Sequence, residues 1–271
     1  MKRRAFLSLA AATLASGRVS RAQGIEARGR KVVDDAIAAL GGQAFLSMQD
    51  RIENGRAYSF FHDQLSGLSV ATIYTRYIPV APDRTGIDLG IQERQAFGKK
   101  EDYYVLFRQE GAWEVTFRGA KELEKDRVQR YRDTTLNNFF YILRQRFHEP
   151  GLIFESRGSD VVENLPVELV DITDSQNRVV RVYFHQTTKL PVRQSRISRD
   201  PETKDRDEEV TRFSRYRETG GIQWPQQMLR ERNGEKIYEI FSSSVTMNKG
   251  LSDALFTTPN PDTKPDRPEK K

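Results

Sequence analysis

From Ile52 to Met247 the chain keeps returning to an alternation of period two, and this constrains its fold more than any other feature. Tyr58 and Phe60 alternate with polar residues, as do Leu68, Val70, Thr72 and Tyr74, then Tyr103, Val105 and Phe107, then Trp113, Val115 and Phe117. Such spacing puts one set of side chains on one face of extended backbone. After an interruption the pattern resumes in the runs 166–173, 178–185, 190–198, 208–218, 222–232 and 235–247. Turn residues separate the runs: Glu110-Gly111, Asp174-Ser175-Gln176-Asn177, Thr187-Thr188-Lys189, Gly220-Gly221 and Asn233-Gly234, the last a favoured two-residue hairpin pair. A longer loop with Pro and Gly is expected from Pro79 to Gly90. Consecutive short strands without helical crossovers predict one meandering, strongly curved antiparallel sheet, which has a concave face.

Two segments break the alternation. Val32, Val33, Ala36, Ile37, Leu40, Phe45 and Leu46 lie on one face of an amphipathic helix over Ile25 to Met48, interrupted at Gly41-Gly42. Ala120 to Phe147 is predicted helical, with a cap at Asp133-Thr134 and a stop at Pro150-Gly151. Its second half presents Leu136, Phe139, Phe140, Ile142, Leu143 and Phe147, a face broad enough to cover a sheet and something besides. The expected class is α+β, a single domain over 23–258.

The first twenty-two residues read as a cleaved export signal: Lys2, Arg3 and Arg4, an apolar stretch from Phe6 to Leu14, and the cleavage pattern Ser20-Arg21-Ala22. Arg3-Arg4-Ala5-Phe6-Leu7 also resembles the twin-arginine pattern, although an ordinary Sec leader can carry a paired arginine. The reading places the mature protein, soluble, in the periplasm. Five of the 44 Lys and Arg and none of the 38 Asp and Glu fall in this leader, so the mature chain is close to neutral. That removes the case for a nucleic-acid partner. With no Cys there is no disulfide framework, thiolate metal site, Cys nucleophile or acylated cysteine. From Pro259 the residues PNPDTKPDRPEKK predict a disordered tail.

Catalytic patterns are sparse. His62, His148 and His185 share no metal-ligand spacing, and there is no GxSxG, GxxxxGK or GxGxxG. Asp205, Asp207, Glu208 and Glu209 fall in a charge-alternating stretch, Arg199 to Glu209, that reads as an exposed hairpin loop. The chain is therefore expected to be no enzyme and to need no cofactor or metal.

Three motifs carry a resemblance: Thr-Lys-Leu-Pro-Val-Arg at 188–193, Tyr-x-x-x-Gly-Gly-Ile-x-Trp-Pro at 216–225, and Asn-Lys-Gly-Leu-x-Asp-x-Leu-Phe-x-x-Pro at 248–259. Together they resemble the periplasmic lipoprotein-carrier superfamily, the outer-membrane lipoprotein-sorting proteins related to the LolA carrier and the LolB receptor. The resemblance implies an incomplete, half-open β-barrel with helices over its concave face. It implies a monomer that holds a hydrophobic small molecule, a lipid or lipoprotein acyl chains, taken from or passed to a membrane protein. Residues expected to line an apolar cavity are Tyr58, Phe60, Val70, Tyr104, Leu106, Trp113, Val115, Phe139, Phe140, Leu143, Val182, Phe184 and Trp224. On strand parity Tyr104 and Leu106 oppose Tyr103, Val105 and Phe107, which leaves the inward phase there open. The alternative is a periplasmic scaffold whose barrel is filled by its own side chains and whose partner is another protein.

Overall fold

The structure, a computed structural model, describes residues 7–79, 89–199 and 204–258, with side chains from Gln23 onward. The expected tail, the leader's first six residues and most of the Pro79 to Gly90 loop lie outside the described residues.

A long helix, α1 (Leu7–Leu40), turns at Gly41-Gly42 into a single turn, α2 (Gln43–Leu46). Strands β1 (Asp50–Phe61), β2 (Gln64–Tyr77), β3 (Ile91–Phe97), β4 (Tyr103–Arg108), β5 (Gly111–Thr116) and β6 (Gly119–Glu122) follow as a meander. After the helical segment come β7 (Ile153–Val162), β8 (Leu165–Thr173), β9 (Val179–His185), β10 (Pro191–Arg199), β11 (Arg206–Thr219), β12 (Ile222–Arg232) and β13 (Glu235–Met247).

All thirteen strands form one antiparallel sheet in the order β6-β5-β4-β3-β2-β1-β13-β12-β11-β10-β9-β8-β7. Two meanders are thus sutured where the first strand pairs with the last, and β6 and β7 are left as the free edges. A bulge at Asn54/Gly55 sharpens the bend at this seam. Gly55 is required there, because a Cβ would run into the Phe241 carbonyl.

This topology dictates where the helices go. The chain must travel from edge β6 to edge β7, and it does so across the concave face. α3 (Lys125–Leu136) is followed by α4 (Phe139–Tyr141), which continues as a π-turn over Ile142–Arg146. Phe139, Phe140, Ile142 and Leu143 go under, onto Val182, Phe184, Phe213 and Trp224 of the sheet. α1 adds Val33, Ala36, Ile37 and Leu40 to the same core, where full burial of the Val, Ile and Leu side chains is worth roughly 1.5–3 kcal/mol each. A Cβ on Gly29 would collide with the Phe154 backbone, so glycine lets α1 sit directly on β7.

The structure corrects the sequence reading at several points. Ala120 belongs to edge strand β6 rather than to the helix. The cap lies at Asn138, whose side chain accepts a 3.2 Å bond from Tyr141 N–H, instead of Asp133-Thr134. Asp207, Glu208 and Glu209 belong to β11, where Asp207 and Glu209 pair with Arg232 and Arg196. Strands β3 and β7 have no counterpart among the runs read from the sequence.

Candidate functional site

Between the concave face and the crossing helical segment lies a cavity of about 1080 Å³. Small-molecule sites span roughly 300–1,000 Å³, so this is a large one. One wall is apolar: Phe140, Tyr141, Trp224, Met228 and Ile240, with Ile73, Ile91 and Phe107 further round the sheet.

The floor is charged. Glu53 on β1 is fully buried and accepts hydrogen bonds from Trp224 Nε1 at 2.9 Å and Ser242 Oγ at 3.2 Å. Arg51, two residues earlier on the same face, brings its Nε to 2.5 Å from Glu53 Oε1, a charge contact without hydrogen-bond alignment. Its guanidinium lies 4.3 Å over the Trp224 ring and donates to Tyr77 Oη at 3.0 Å and Thr75 Oγ1 at 3.1 Å. Thr75 Oγ1 donates onward to Glu93 Oε2 at 3.3 Å, and Gln95 Nε2 donates to Glu93 Oε1 at 2.6 Å. Burial would lower the Arg51 pKa, but Glu53, Tyr77 and Glu93 reverse this and hold it above its ordinary value. Burial pushes the Glu93 carboxyl up, against the pull of Gln95 and Arg51.

At the other end of the wall stand Arg196, Glu209, Arg230 and Arg232. Arg196 meets Glu209 at 3.2 Å, and Arg232 clasps Asp207 with two 2.8 Å bonds.

The lid is fastened by side-chain amides and guanidinia. Gln194 on β10 accepts from Phe139 N–H at 2.9 Å and donates to Asn137 O at 3.1 Å, closing the gap between α3 and α4. Arg146 donates to Leu136 O at 2.7 Å and pairs with Asp174 at 2.9 Å and Glu149 at 2.6 Å. Arg144 Nε reaches Met48 O at 2.8 Å.

Of the residues expected to line the cavity, Phe140 and Trp224 do so. Phe139, Leu143, Val182 and Phe184 pack into the closed core beside it. Leu106 faces Trp113 and Tyr104 faces Val115 across β4 and β5, in the phase opposite Val105 and Phe107, which pack under α3. That phase turns away from the cavity, and Arg94 stacks over Tyr104 at 3.9 Å on it. Val70 is 42% exposed, and Tyr58 and Phe60 are half-buried on the β1/β2 hairpin, away from the cavity wall. Sequence reasoning missed Arg51, Glu53, Glu93, Gln95, Gln194 and Arg230. A charged residue at an inward position of a strand, as in Arg51-Ile52-Glu53, was the available signal.

The motifs that carry the resemblance have structural work. Tyr216 Oη donates to Pro191 O at 2.6 Å, tying the second motif to the first. Asp50 accepts from the N–H groups of Lys249, Gly250 and Leu251 at 2.7, 2.8 and 3.3 Å, clasping the third motif against β1. Among the described residues no group of three His, Asp or Glu side chains could hold a metal ion, and no helix is long and apolar enough to cross a membrane.

No family model and no curated protein matches the sequence. Solved structures do. The chain is similar to a DUF1329 family protein from Desulfovibrio piger (TM-score 0.55, 15% identity, 84% of this chain and 96% of that one). It is also similar to a putative outer membrane lipoprotein-sorting protein domain from Vibrio parahaemolyticus (0.51, 12%, 85% and 97%). A LolA superfamily protein from Nitrosomonas europaea is a further match (0.50, 10%, 82% and 97%). At such identities the likeness is one of architecture alone: thirteen antiparallel strands curved around a crossing helical segment, a LolA/LolB-like fold.

Proposed function

We propose that the protein is an exported, soluble periplasmic carrier that binds a lipid or acyl-chain ligand non-covalently in this cavity, without catalysis. The observation that carries the reading is the cavity of about 1080 Å³ on the concave face, covered on one side by a helical segment fastened through a few polar contacts. An acyl chain transferred from water onto Phe140, Trp224 and Met228 gains on the order of 0.8 kcal/mol per buried methylene. Opening requires breaking bonds such as those of Gln194, so the lid sets the rate of release.

Native mass spectrometry of the protein purified from an envelope fraction without detergent tests this. A defined excess mass that extracts into organic solvent as a lipid or acylated species is the expected result. A clean apo mass, with no uptake of added fatty acids or phospholipids, overturns it.

A further inference from the structure

The cavity's polarity runs along β12. Trp224, Met228, Arg230 and Arg232 all line it, in one phase of the strand. At about 3.4 Å per residue, Trp224 and Arg230 are separated by roughly 20 Å. One end of this row is an aromatic cluster, with Phe140 4.9 Å from the Trp224 ring, and the other is cationic.

Most cations on this wall are matched. Arg51 has Glu53, Thr75, Tyr77 and the Trp224 ring; Arg196 has Glu209; Arg232 has Asp207. Arg230 differs. Among the described residues its one hydrogen bond goes to Thr134 Oγ1 at 3.1 Å, and no carboxylate lies in ion-pair range. Glu209 is close enough to act on it through space but is engaged by Arg196. Burial depresses the Arg230 pKa, the response of a cation taken from water without a full counter-charge. Two guanidinia therefore share one carboxylate. Tyr238, directly across from Arg230 on β13, is held protonated by burial and offers its hydroxyl at the same place.

We propose that Arg230, with Tyr238 and Thr134, seats the anionic headgroup of an amphiphile, a carboxylate or a phosphate, whose chain runs toward Phe140 and Trp224. This rests on the carrier reading. A planar fork of N–H donors suits both headgroups, and an anion here supplies the charge that Glu209 cannot give to both arginines.

Isothermal titration of the protein with decanoate, decyl phosphate and decanol, which share one chain and differ in headgroup, tests the assignment. At pH 7.5 one or both anions should bind at least about tenfold more tightly than decanol, as a charge-assisted hydrogen bond implies. Arg230→Met should remove that preference while leaving decanol binding within about twofold, and Arg230→Lys should keep part of it. A preference for decyl phosphate points to a phospholipid, and one for decanoate to a free fatty acid. Equal binding of all three ligands overturns the headgroup site and leaves the carrier reading standing, as does an anion preference that survives in Arg230→Met. Binding of none of the three overturns the carrier reading itself.

Discussion

Trp224 donates its indole N–H to Glu53 at 2.9 Å across 171 residues of sequence, and the same ring carries the Arg51 guanidinium 4.3 Å above it. Glu53 lies on the first strand and Trp224 on the penultimate one. The bond therefore crosses β13, at the seam that joins the two meanders. An open curved sheet whose two meanders are joined only at β1/β13 gains little from its free edges, so a polar bolt beside the seam is where a buried ion pair can fix one curvature over others.

Removing one partner of that bolt should cost far more than removing both. Glu53→Ala leaves Arg51 charged and buried and is expected to lower unfolding stability by about 3–5 kcal/mol. Arg51→Met combined with Glu53→Leu should recover most of the loss. Urea unfolding of the two variants decides it, and equal midpoints would show that the pair carries no coupling.

Glu93 gives stability a pH dependence whose sign follows from its raised pKa. The folded state holds this proton to a higher pH than the unfolded chain, so the contribution of Glu93 to stability falls as pH rises from about 4.3, the unfolded glutamate value, through its folded pKa. Glu93→Gln lacks this loss. Its melting temperature relative to wild type should therefore rise between pH 4 and pH 8. A difference that is flat with pH would show that Glu93 titrates alike in the folded and unfolded states. Asp171 has the opposite sign: burial would raise its pKa, but Arg181 and Arg157 outweigh this and lower it. Its contribution is present above about 3.9 and fades on acidification.

The sheet was legible in the sequence wherever one strand face is apolar and the other polar, which is why β8 to β13 and their turns fall where alternation and Asn233-Gly234 put them. Where that contrast fails, so does the reading. Strand β3 points Glu93 and Gln95 into the cavity, so IQERQAF shows no apolar alternation. β6 and β7 are edges, paired on one side only, and β7 carries Ser-Arg-Gly-Ser-Asp in mid-strand. The cavity was hidden for the same reason. A search for apolar inward residues selects the side chains that close the core, Phe139 and Phe184 among them, and passes over the charged ones that line the open space.

Asp50 anchors the last described segment, and its loss should be local before it is global. Its carboxylate accepts three consecutive N–H groups, and the segment it holds brings Phe256 into burial beneath Arg76. Asp50→Ala is expected to cost about 1.5–3 kcal/mol, the worth of a hydrogen bond to a charged group. It should also expose the Lys249–Gly250 bond to trypsin under native conditions. Unchanged resistance at Lys249 would show that the segment's other bonds suffice, Asn248 accepting from Gln49 N–H at 2.8 Å and Leu251 O accepting from Arg76 at 3.1 Å.

Gln194 is the most economical test of whether the helical segment moves independently of the sheet. The break between α3 and α4 strands a carbonyl at Asn137 and an N–H at Phe139, and one buried amide side chain satisfies both. Gln194→Leu keeps the volume and abandons both groups, each a penalty of about 1–3 kcal/mol if the segment stays shut. An opened segment lets water take the bonds instead, so the variant should favour opening. Amide exchange at Phe139 and Phe140 should then accelerate at least about tenfold more than exchange at Val182 and Phe184 beneath them. Acceleration by the same factor at all four amides would mean that the helical segment and the sheet unfold as one unit.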